Sequence, residues 1–220
     1  ITNRPAVNFS IIPAEIDDYH SLSNKISTII PVEESIIAEK FQKAKYNPFQ
    51  AQTIRRDLDK EQIIAIEEQK YKFKGTLLTV QPERKYLHES LAAHILGYVN
   101  EISEGELQSA VFKHLTGGDI VGKSGIERYY DSYLRGKKGS KEVEIDALGR
   151  EVLTLEENAP IAGNDIYLTI DSHLQRYIEN MLDGEKSAII VSEAQSGKIL
   201  AMVSQPDFDP NLFTQHVTIE

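Results

Sequence analysis

The sequence contains no cysteine among its 220 residues, and this absence excludes several kinds of chemistry at once. Disulfide bonds, thiolate nucleophiles and cysteine-based metal sites all need that residue, so redox chemistry gives no clue to the compartment. Histidine occurs six times, but no H-E-x-x-H pattern sets two imidazoles on one helix face for zinc. The histidines are therefore interpreted as isolated surface or core residues, and no metal or other cofactor is expected.

Long apolar runs and a basic surplus are missing as well. No apolar stretch approaches the roughly 20 residues that span a bilayer, and no signal peptide opens the sequence, which predicts a soluble chain. The formal net charge is -10. Nucleic acids and anionic lipids are bound through basic surfaces, so this charge argues against both as general partners. A composition of 40% hydrophobic and 26% charged residues is typical of an ordinary globular protein.

One stretch admits two incompatible interpretations. Residues Gly117 to Ser124 satisfy the P-loop pattern G-x-x-x-x-G-K-[ST], in which Lys123 would reach the phosphates and the hydroxyl would bind magnesium. A P-loop must follow a buried parallel strand. The residues in front of it instead have helical period and a capping box, Ser103 with Glu106, and Gly117 is predicted to end that helix. Nucleotide binding is kept as the alternative function.

Alternating and helical patterns predict a mixed α+β fold. The predicted strands and hairpin segments are 7–12, 51–56, 76–80, 143–145, 152–155, 165–171, 188–191 and 199–203. Helices are predicted at 33–44, within 86–99, and after Asp18, Asp59, Ser103, Ser124 and Ser172. Asp59 with Gln62, and Ser124 with Glu127, have the spacing of capping boxes.

Three of these helices carry apolar stripes that the pattern predicts to be buried. The first stripe is Leu107, Ala110, Val111 and Leu115. The second, rich in tyrosine, is Ile126, Tyr129, Tyr130, Tyr133 and Leu134. The third is Leu174, Tyr177, Ile178, Met181 and Leu182.

Three blocks of sequence carry a family resemblance. The first is Ala93-His-Ile-Leu-Gly-Tyr-Val99, and the second is Gly122-Lys-Ser-Gly-Ile-Glu-Arg-Tyr-Tyr130. The third joins Asp165-Ile-Tyr-Leu-Thr-Ile-Asp171 to residues 196–204 and to Pro206-Asp-Phe-Asp-Pro-Asn211. In this order and spacing they resemble the class B penicillin-binding proteins, the cell-wall transpeptidases, from about residue 50 to the end. In that family the position of Lys123 also accepts Arg, which a phosphate-binding P-loop would not readily do.

The resemblance implies an elongated, non-catalytic pedestal of the dimerisation type over residues 1–160, with lobes of about 1–100 and 101–160. Residues 161–220 would then be the first strand, helix and hairpin of a transpeptidase domain. A structural role in the pedestal is implied for Gly122, Ser124, Gly125, Glu127 and Arg128. Family members usually carry a D-R-N-G turn after an Ile-Thr pair, which is absent after Thr2, so we expect a segment to be missing there.

The catalytic chemistry of the family needs an S-x-x-K nucleophile, then S-x-N and K-[ST]-G. No serine in the sequence has Lys three residues on, and no S-x-N occurs. Lys123-Ser124-Gly125 matches the third pattern, but the resemblance places it ahead of the transpeptidase part. The chain is therefore expected to be an inactive, truncated or partly ordered part of a penicillin-sensitive serine D,D-transpeptidase. A free-standing adaptor that has lost catalysis is the other possibility.

By the same resemblance, the pedestal would be a scaffold for cell-wall elongation and rod-shape maintenance. Its partners would be the MreC-type scaffold and the RodA-type glycan polymerase, whereas peptidoglycan stem peptides and β-lactams would bind only the missing catalytic part. The protein would lie at the periplasmic face of the bacterial inner membrane, held by an N-terminal anchor absent from this sequence. The candidate partner-binding residues are five aromatics of the amino-terminal lobe: Phe41, Tyr46, Phe49, Tyr71 and Phe73.

Overall fold

The computed structural model describes residues 1–43, 48–49, 51–145, 151–182 and 184–214. The chain forms two compact units, each built from more than one segment. Unit 1 consists of Ile1–His88, Glu101–Asp119 and Asn211–Glu220, and unit 2 of Glu89–Asn100 and Ile120–Pro210. The sequence-based domain boundary near residue 160 concerns functional domains and stays a prediction.

The strands and helices follow the mixed pattern that the sequence predicts, which confirms an α+β fold. The strands are β1 Thr2–Ile11, β2 Gln52–Arg55, β3 Thr76–Lys85, β4 Val99–Glu101, β5 Ile120–Gly122, β6 Ser140–Ile145, β7 Glu151–Asn158, β8 Ser187–Ser192 and β9 Ile199–Gln205. The helices are α1 Tyr19–Ile26, α2 Glu34–Lys43, α3 Lys60–Glu68, α4 Ala93–Leu96, α5 Glu104–Leu107, α6 Gly125–Tyr129, α7 Asp131–Leu134 and α8 Ser172–Leu182.

Unit 1 is built on an antiparallel sheet of order β2-β1-β3. Because side chains alternate along a strand, β1 sends Phe9 and Ile11 to one face and Asn8 and Ser10 to the other. Phe9 and Ile11 are fully buried, in a cluster that also takes residues from α1, α2 and α3. Burying such a side chain contributes about 1.5–3 kcal/mol. This apolar layer forms the hydrophobic core of the unit.

Three predicted helix starts of unit 1 are confirmed by their hydrogen bonds. The Asp18 carboxylate accepts the backbone N–H groups of the first turn of α1. Asp59 with Gln62, and Ser103 with Glu106, each form both hydrogen bonds of a capping box. A side-chain cap is worth about 1 kcal/mol, and it depends on residues only three apart, which is why the sequence predicts it well.

Unit 2 contains two predicted hairpins, β6 with β7 and β8 with β9, and both are confirmed. Helix α8 packs on one face of the β8–β9 hairpin through Ile178, Ala201 and Val203. The opposite face of α8 is exposed to solvent. Tyr177 and Met181 on that face are 67% and 60% exposed, so their predicted burial is wrong. A third short sheet pairs β4 with β5.

The predicted helix from Ser124 through the tyrosine stripe is wrong in two respects. It breaks at Tyr130 into α6 and α7, and the Ser124 side chain makes no capping hydrogen bond. The Ser124 carbonyl oxygen instead accepts the N–H of Arg128, at 3.1 Å. The rings of Tyr129, Tyr130 and Tyr133 are 81%, 43% and 50% exposed, so the stripe is not core. Tyrosine hydroxyls are well solvated, which lowers the cost of this exposure.

Three further predictions on secondary structure are wrong. The segment 165–171 forms no strand. The helix after Ser103 ends at Leu107, and its predicted buried residue Val111 is 67% exposed while Phe112 is buried instead. The helix predicted within 86–99 is only Ala93–Leu96, because Ala92 has a left-handed φ of 57° that no preceding helical turn could continue.

Candidate functional site

The first two sequence blocks pack backbone against backbone in unit 2, at a contact we call the glycine junction (Gly97, Ser124 and Gly125). A Cβ on Gly97 would lie 2.0 Å from the Ser124 carbonyl oxygen, and one on Gly125 would lie 2.4 Å from the carbonyl oxygen of Ile95. Both glycines have positive φ, 75° and 57°. Glycine is the residue that meets both requirements without strain.

A carboxylate fixes the strand that leads into this junction. Asp131 accepts the backbone N–H of Gly122 at 2.8 Å. The same carboxylate receives the Arg135 guanidinium, with two contacts of 2.7 Å and one of 3.0 Å. Gly122 itself has no room for a side chain, since a Cβ would lie 2.0 Å from the Glu127 carbonyl oxygen. The Gly122–Asp131 hydrogen bond therefore joins the start of α7 to β5, whereas the ion pair with Arg135 lies within α7 and its C-cap.

The P-loop interpretation of Gly117 to Ser124 has no support in this geometry. Strand β5, Ile120–Gly122, runs through the middle of the pattern, where a phosphate-binding loop would have to curl. The N–H of Gly122 bonds a carboxylate, whose charge would repel a phosphate. The N–H of Lys123 bonds the Tyr98 carbonyl oxygen at 2.8 Å, so it serves the packing of the blocks.

The remaining predicted motif residues lie at the same place. Glu127 is 4% exposed, inside α6. Arg128 donates a hydrogen bond to the Lys123 carbonyl oxygen at 3.3 Å. The five predicted residues are therefore brought together, in positions that shape the backbone. Their role for the function of the whole protein stays a prediction.

Parts of the third block also contact the first block within unit 2. The His94 ring lies 2.9 Å through Nε2 from the Pro206 carbonyl oxygen, and the Phe208 ring meets His94 edge to face at 5.2 Å between centroids. Thr169 donates its hydroxyl to the Ile199 carbonyl oxygen at 2.6 Å. The Asp171 carboxylate caps α8, and its two backbone hydrogen bonds lower the pKa of that carboxyl.

Unit 1 contains a charged cluster that the sequence did not reveal. Arg4 and Glu83 lie opposite each other in the β1–β3 register and form an ion pair of 2.6 Å. Asp57 bonds the same guanidinium. Burial, with the Asp57 charge next in importance, raises the pKa of Glu83, although Arg4 opposes the shift. The Oε1 atom of Glu83 is buried without a hydrogen-bond partner, which adds to the cost of its charge.

A second ion-pair group in unit 1 surrounds Arg56. Its guanidinium donates to the Gly118 carbonyl oxygen at 2.8 Å and lies 3.8 Å from the Glu101 carboxylate. Glu101 also pairs with Lys40 at 2.8 Å. Burial is the main influence on Arg56 and lowers the pKa of its guanidinium. These contacts connect segments far apart in sequence, and we interpret them as stabilising the fold of unit 1.

The five candidate partner-binding aromatics are placed very differently. Phe49 and Tyr71 are 79% and 81% exposed. The ammonium of Lys72 lies 5.5 Å from the Tyr71 ring centre. Phe73 is 3% exposed in the core, and Phe41 packs against that core, so neither presents a full ring to a partner. Tyr46 lies outside the described residues.

Two negative findings apply to the described part of the chain. No group of three or more His, Asp or Glu side chains there could hold a metal ion. Among the same residues, no helix has both the length and the apolar character needed to cross a bilayer.

Comparison with known proteins gives one consistent result. Residues 1–168 match the penicillin-binding protein dimerisation domain. The chain is 34% identical to peptidoglycan D,D-transpeptidase MrdA of Salmonella typhimurium, over 97% of this chain and 35% of that protein. Identity to MrdA of Escherichia coli is 31%, over 98% of this chain and 35% of the relative. The chain thus spans about a third of the length of the curated relatives it matches.

Solved structures agree with this result. The chain resembles the penicillin-binding protein PBP2 of Helicobacter pylori in complex with MreC, with a TM-score of 0.75 and 26% identity. The likeness covers 99% of this chain and 41% of that one. PBP2 of the same organism without MreC gives a TM-score of 0.70 at 25% identity, over 98% and 42%.

Proposed function

The chain belongs to the penicillin-binding protein dimerisation-domain family, and from that membership we propose that it is the non-catalytic pedestal of a PBP2-type peptidoglycan D,D-transpeptidase. The observation that carries the proposal is the family match over residues 1–168, extended by 34% identity to MrdA across 97% of the chain. The pedestal would scaffold cell-wall elongation. The whole protein would act at the periplasmic face of the inner membrane.

The acyl-transfer chemistry belongs, in this proposal, to sequence outside these 220 residues. Such chemistry needs a serine whose proton is taken by a neighbouring base, and no S-x-x-K pattern occurs here. Lys123 and Ser124 resemble a piece of that machinery, but the N–H of Lys123 bonds the Tyr98 carbonyl oxygen, and the backbone of Ser124 is packed against Gly97 at the glycine junction. Stem peptides and β-lactams would therefore bind the longer protein and not this region.

We assign unit 1 the role of receiving partners. The support is the likeness to a PBP2 that was solved with MreC bound, together with the exposure of Phe49 and Tyr71. Exposed aromatic side chains are frequent anchors of protein interfaces, because a planar ring buries much area at a small entropic cost. An MreC-type scaffold is the proposed partner of this surface. A RodA-type polymerase is proposed as a second partner of the whole protein.

The test is a titration of the 220-residue chain with the periplasmic part of an MreC protein. Replacing Phe49 or Tyr71 by Ala should weaken binding about tenfold, which corresponds to about 1.4 kcal/mol for each anchor. Tyr129→Ala is the matched control, since Tyr129 has the same 81% exposure as Tyr71 but lies in unit 2. Binding that is unchanged in the Phe49 and Tyr71 variants would remove this surface from the proposal. Failure of the unmodified chain to bind MreC would contradict the partner itself.

A further inference from the structure

A buried amide on α8 binds the backbone of the neighbouring strand. Gln175 is 1% exposed. Its Nε2 atom donates to the Met202 carbonyl oxygen at 2.9 Å, and its Oε1 atom accepts the Met202 N–H at 2.8 Å. The side chain therefore takes the place that a neighbouring strand would occupy beside Met202 in β9. Both polar ends of the amide are used, so its orientation is fixed.

The same amide positions a carboxylate one turn further along α8. Nε2 of Gln175 also donates to Oε1 of Glu179 at 2.8 Å. That oxygen accepts a second hydrogen bond, from the backbone N–H of Ala92 at 3.0 Å. One carboxylate oxygen thus connects helix α8 to the residue that precedes α4. Hydrogen bonds to an ionised acceptor are roughly twice as strong as neutral ones.

Ala92 is a residue that needs such a partner. Its φ of 57° lies in the left-handed region, which residues with a Cβ disfavour by about tenfold in population. No side chain caps the helix that it starts, and its carbonyl oxygen accepts the N–H groups of Ile95 and Leu96. A strained conformation of this kind persists only where its surroundings hold it. The Glu179 carboxylate, bonded to the N–H of Ala92, is placed to do so.

We infer that Glu179 is a positioning residue, which holds Ala92 in its left-handed conformation. In this way it fixes the position of α4, and with it the glycine junction, relative to helix α8 and strand β9. Gln175 acts through it, by anchoring the carboxylate to β9. Helix α4 ends at Leu96, directly before Gly97, so the direction of α4 sets where Gly97 meets Ser124. The inference goes beyond the proposed function and does not depend on which partner unit 1 receives.

Amide hydrogen exchange of the 220-residue chain, followed residue by residue by NMR, tests this role. Glu179→Ala should speed exchange at Ala92, Ile95 and Leu96 by about 10- to 100-fold, the loss expected for a hydrogen bond to a charged group. Exchange at Met202 should change less than threefold, because Gln175 still bonds it. Asn180→Ala, at an exposed neighbouring position of α8, is the control and should leave all four amides unchanged.

Two further variants separate positioning from a general loss of stability. Glu179→Gln keeps an acceptor and loses the charge, so exchange at Ala92 should rise two- to tenfold only. Ala92→Gly, added to Glu179→Ala, should return Ile95 and Leu96 to within about threefold of the parent, since glycine adopts positive φ freely.

Equal acceleration at Ala92 and Met202 in Glu179→Ala would overturn the inference, as would no acceleration at Ala92. If Glu179→Ala does not fold, the comparison of Glu179→Gln with Asn180→Ala decides. A rise at Ala92 of less than twofold in Glu179→Gln then also overturns it.

Discussion

The glycine junction makes a quantitative prediction, because unit 2 offers glycines that separate its two constraints. Gly97 has both a positive φ of 75° and a contact of 2.0 Å at the position of a Cβ. Gly122 has a contact of 2.0 Å and no positive φ. Gly197 has a positive φ of 73° and nothing within 4 Å. Substitution by Ala at each position therefore measures the two costs together and apart.

The magnitudes follow from general values for each constraint. A left-handed conformation costs a residue with a Cβ about 1–2 kcal/mol, which is the whole effect expected for Gly197→Ala. Forcing a methyl group into a filled site costs about 1–3 kcal/mol, and the upper end applies to Gly122 because the contacted atom is a backbone oxygen that cannot rotate away. Gly97→Ala should suffer both effects and lose about 4 kcal/mol.

The assay is urea unfolding of the four proteins, followed by circular dichroism and by tyrosine fluorescence. Coincident transitions and an unchanged slope m allow the midpoints to be converted into differences in unfolding free energy. The expected order of stability is parent, Gly197→Ala, Gly122→Ala, Gly97→Ala. If Gly97→Ala proves no less stable than Gly197→Ala, the close backbone approach at Ser124 is refuted, since only the φ cost would remain.

Two other outcomes are expected. Because the pKa of Glu83 is raised, the folded chain binds a proton at this carboxylate more tightly than the unfolded chain does. The protonated carboxyl therefore contributes stability below the ordinary pKa of 4.5, and this contribution is lost as the pH rises through the pKa of the folded chain. Urea midpoints at pH 4 and pH 7.5 should therefore fall more steeply with pH in the parent than in Glu83→Gln, and parallel profiles would contradict the assignment. A fluorescent penicillin should form no covalent adduct with the chain, because the chain has no S-x-x-K serine. An adduct found by mass spectrometry would contradict the proposal that the acyl-transfer chemistry belongs to sequence outside these 220 residues.

Local patterns in the sequence predicted the parts of the fold that are held locally. The capping box of Asp59 spans three residues, and its two hydrogen bonds form within one turn. The hairpin of β8 and β9 likewise follows from two β-rich runs and a short turn between them. Sequence pattern succeeds in these places because the interacting groups are neighbours along the chain.

The same reasoning failed where distant groups compete with a local pattern. Ser124 and Glu127 have capping-box spacing, yet Glu127 is buried and the backbone of Ser124 is packed against Gly97. The tyrosine stripe has helical spacing, but Asp131 bonds the N–H of Gly122, nine residues earlier, and a separate helix begins there. Such contacts join positions whose pairing cannot be predicted from a periodic sequence pattern.

The charged cluster of unit 1 shows most directly what sequence patterns cannot predict. Arg4, Asp57 and Glu83 meet only because β1 pairs with β3 and because Asp57 turns back with a positive φ of 53°. In the sequence they are three ordinary charges with no shared motif. A prediction would have required the strand register first, after which the directly opposed pair of Arg4 and Glu83 follows from strand geometry.

The stretch around Lys123 matched two functional patterns, a P-loop and K-[ST]-G, but its backbone does not have the geometry of a phosphate-binding loop. A P-loop lysine works where successive backbone N–H groups point at one anion. Here the N–H of Gly122 points at the Asp131 carboxylate and that of Lys123 at the Tyr98 carbonyl oxygen, in line with β5. Both glycines of the pattern G-K-S-G are required by close backbone contacts, with Glu127 at one end and Ile95 at the other. Close backbone contacts therefore account for both glycines of this motif, without any part in phosphate binding.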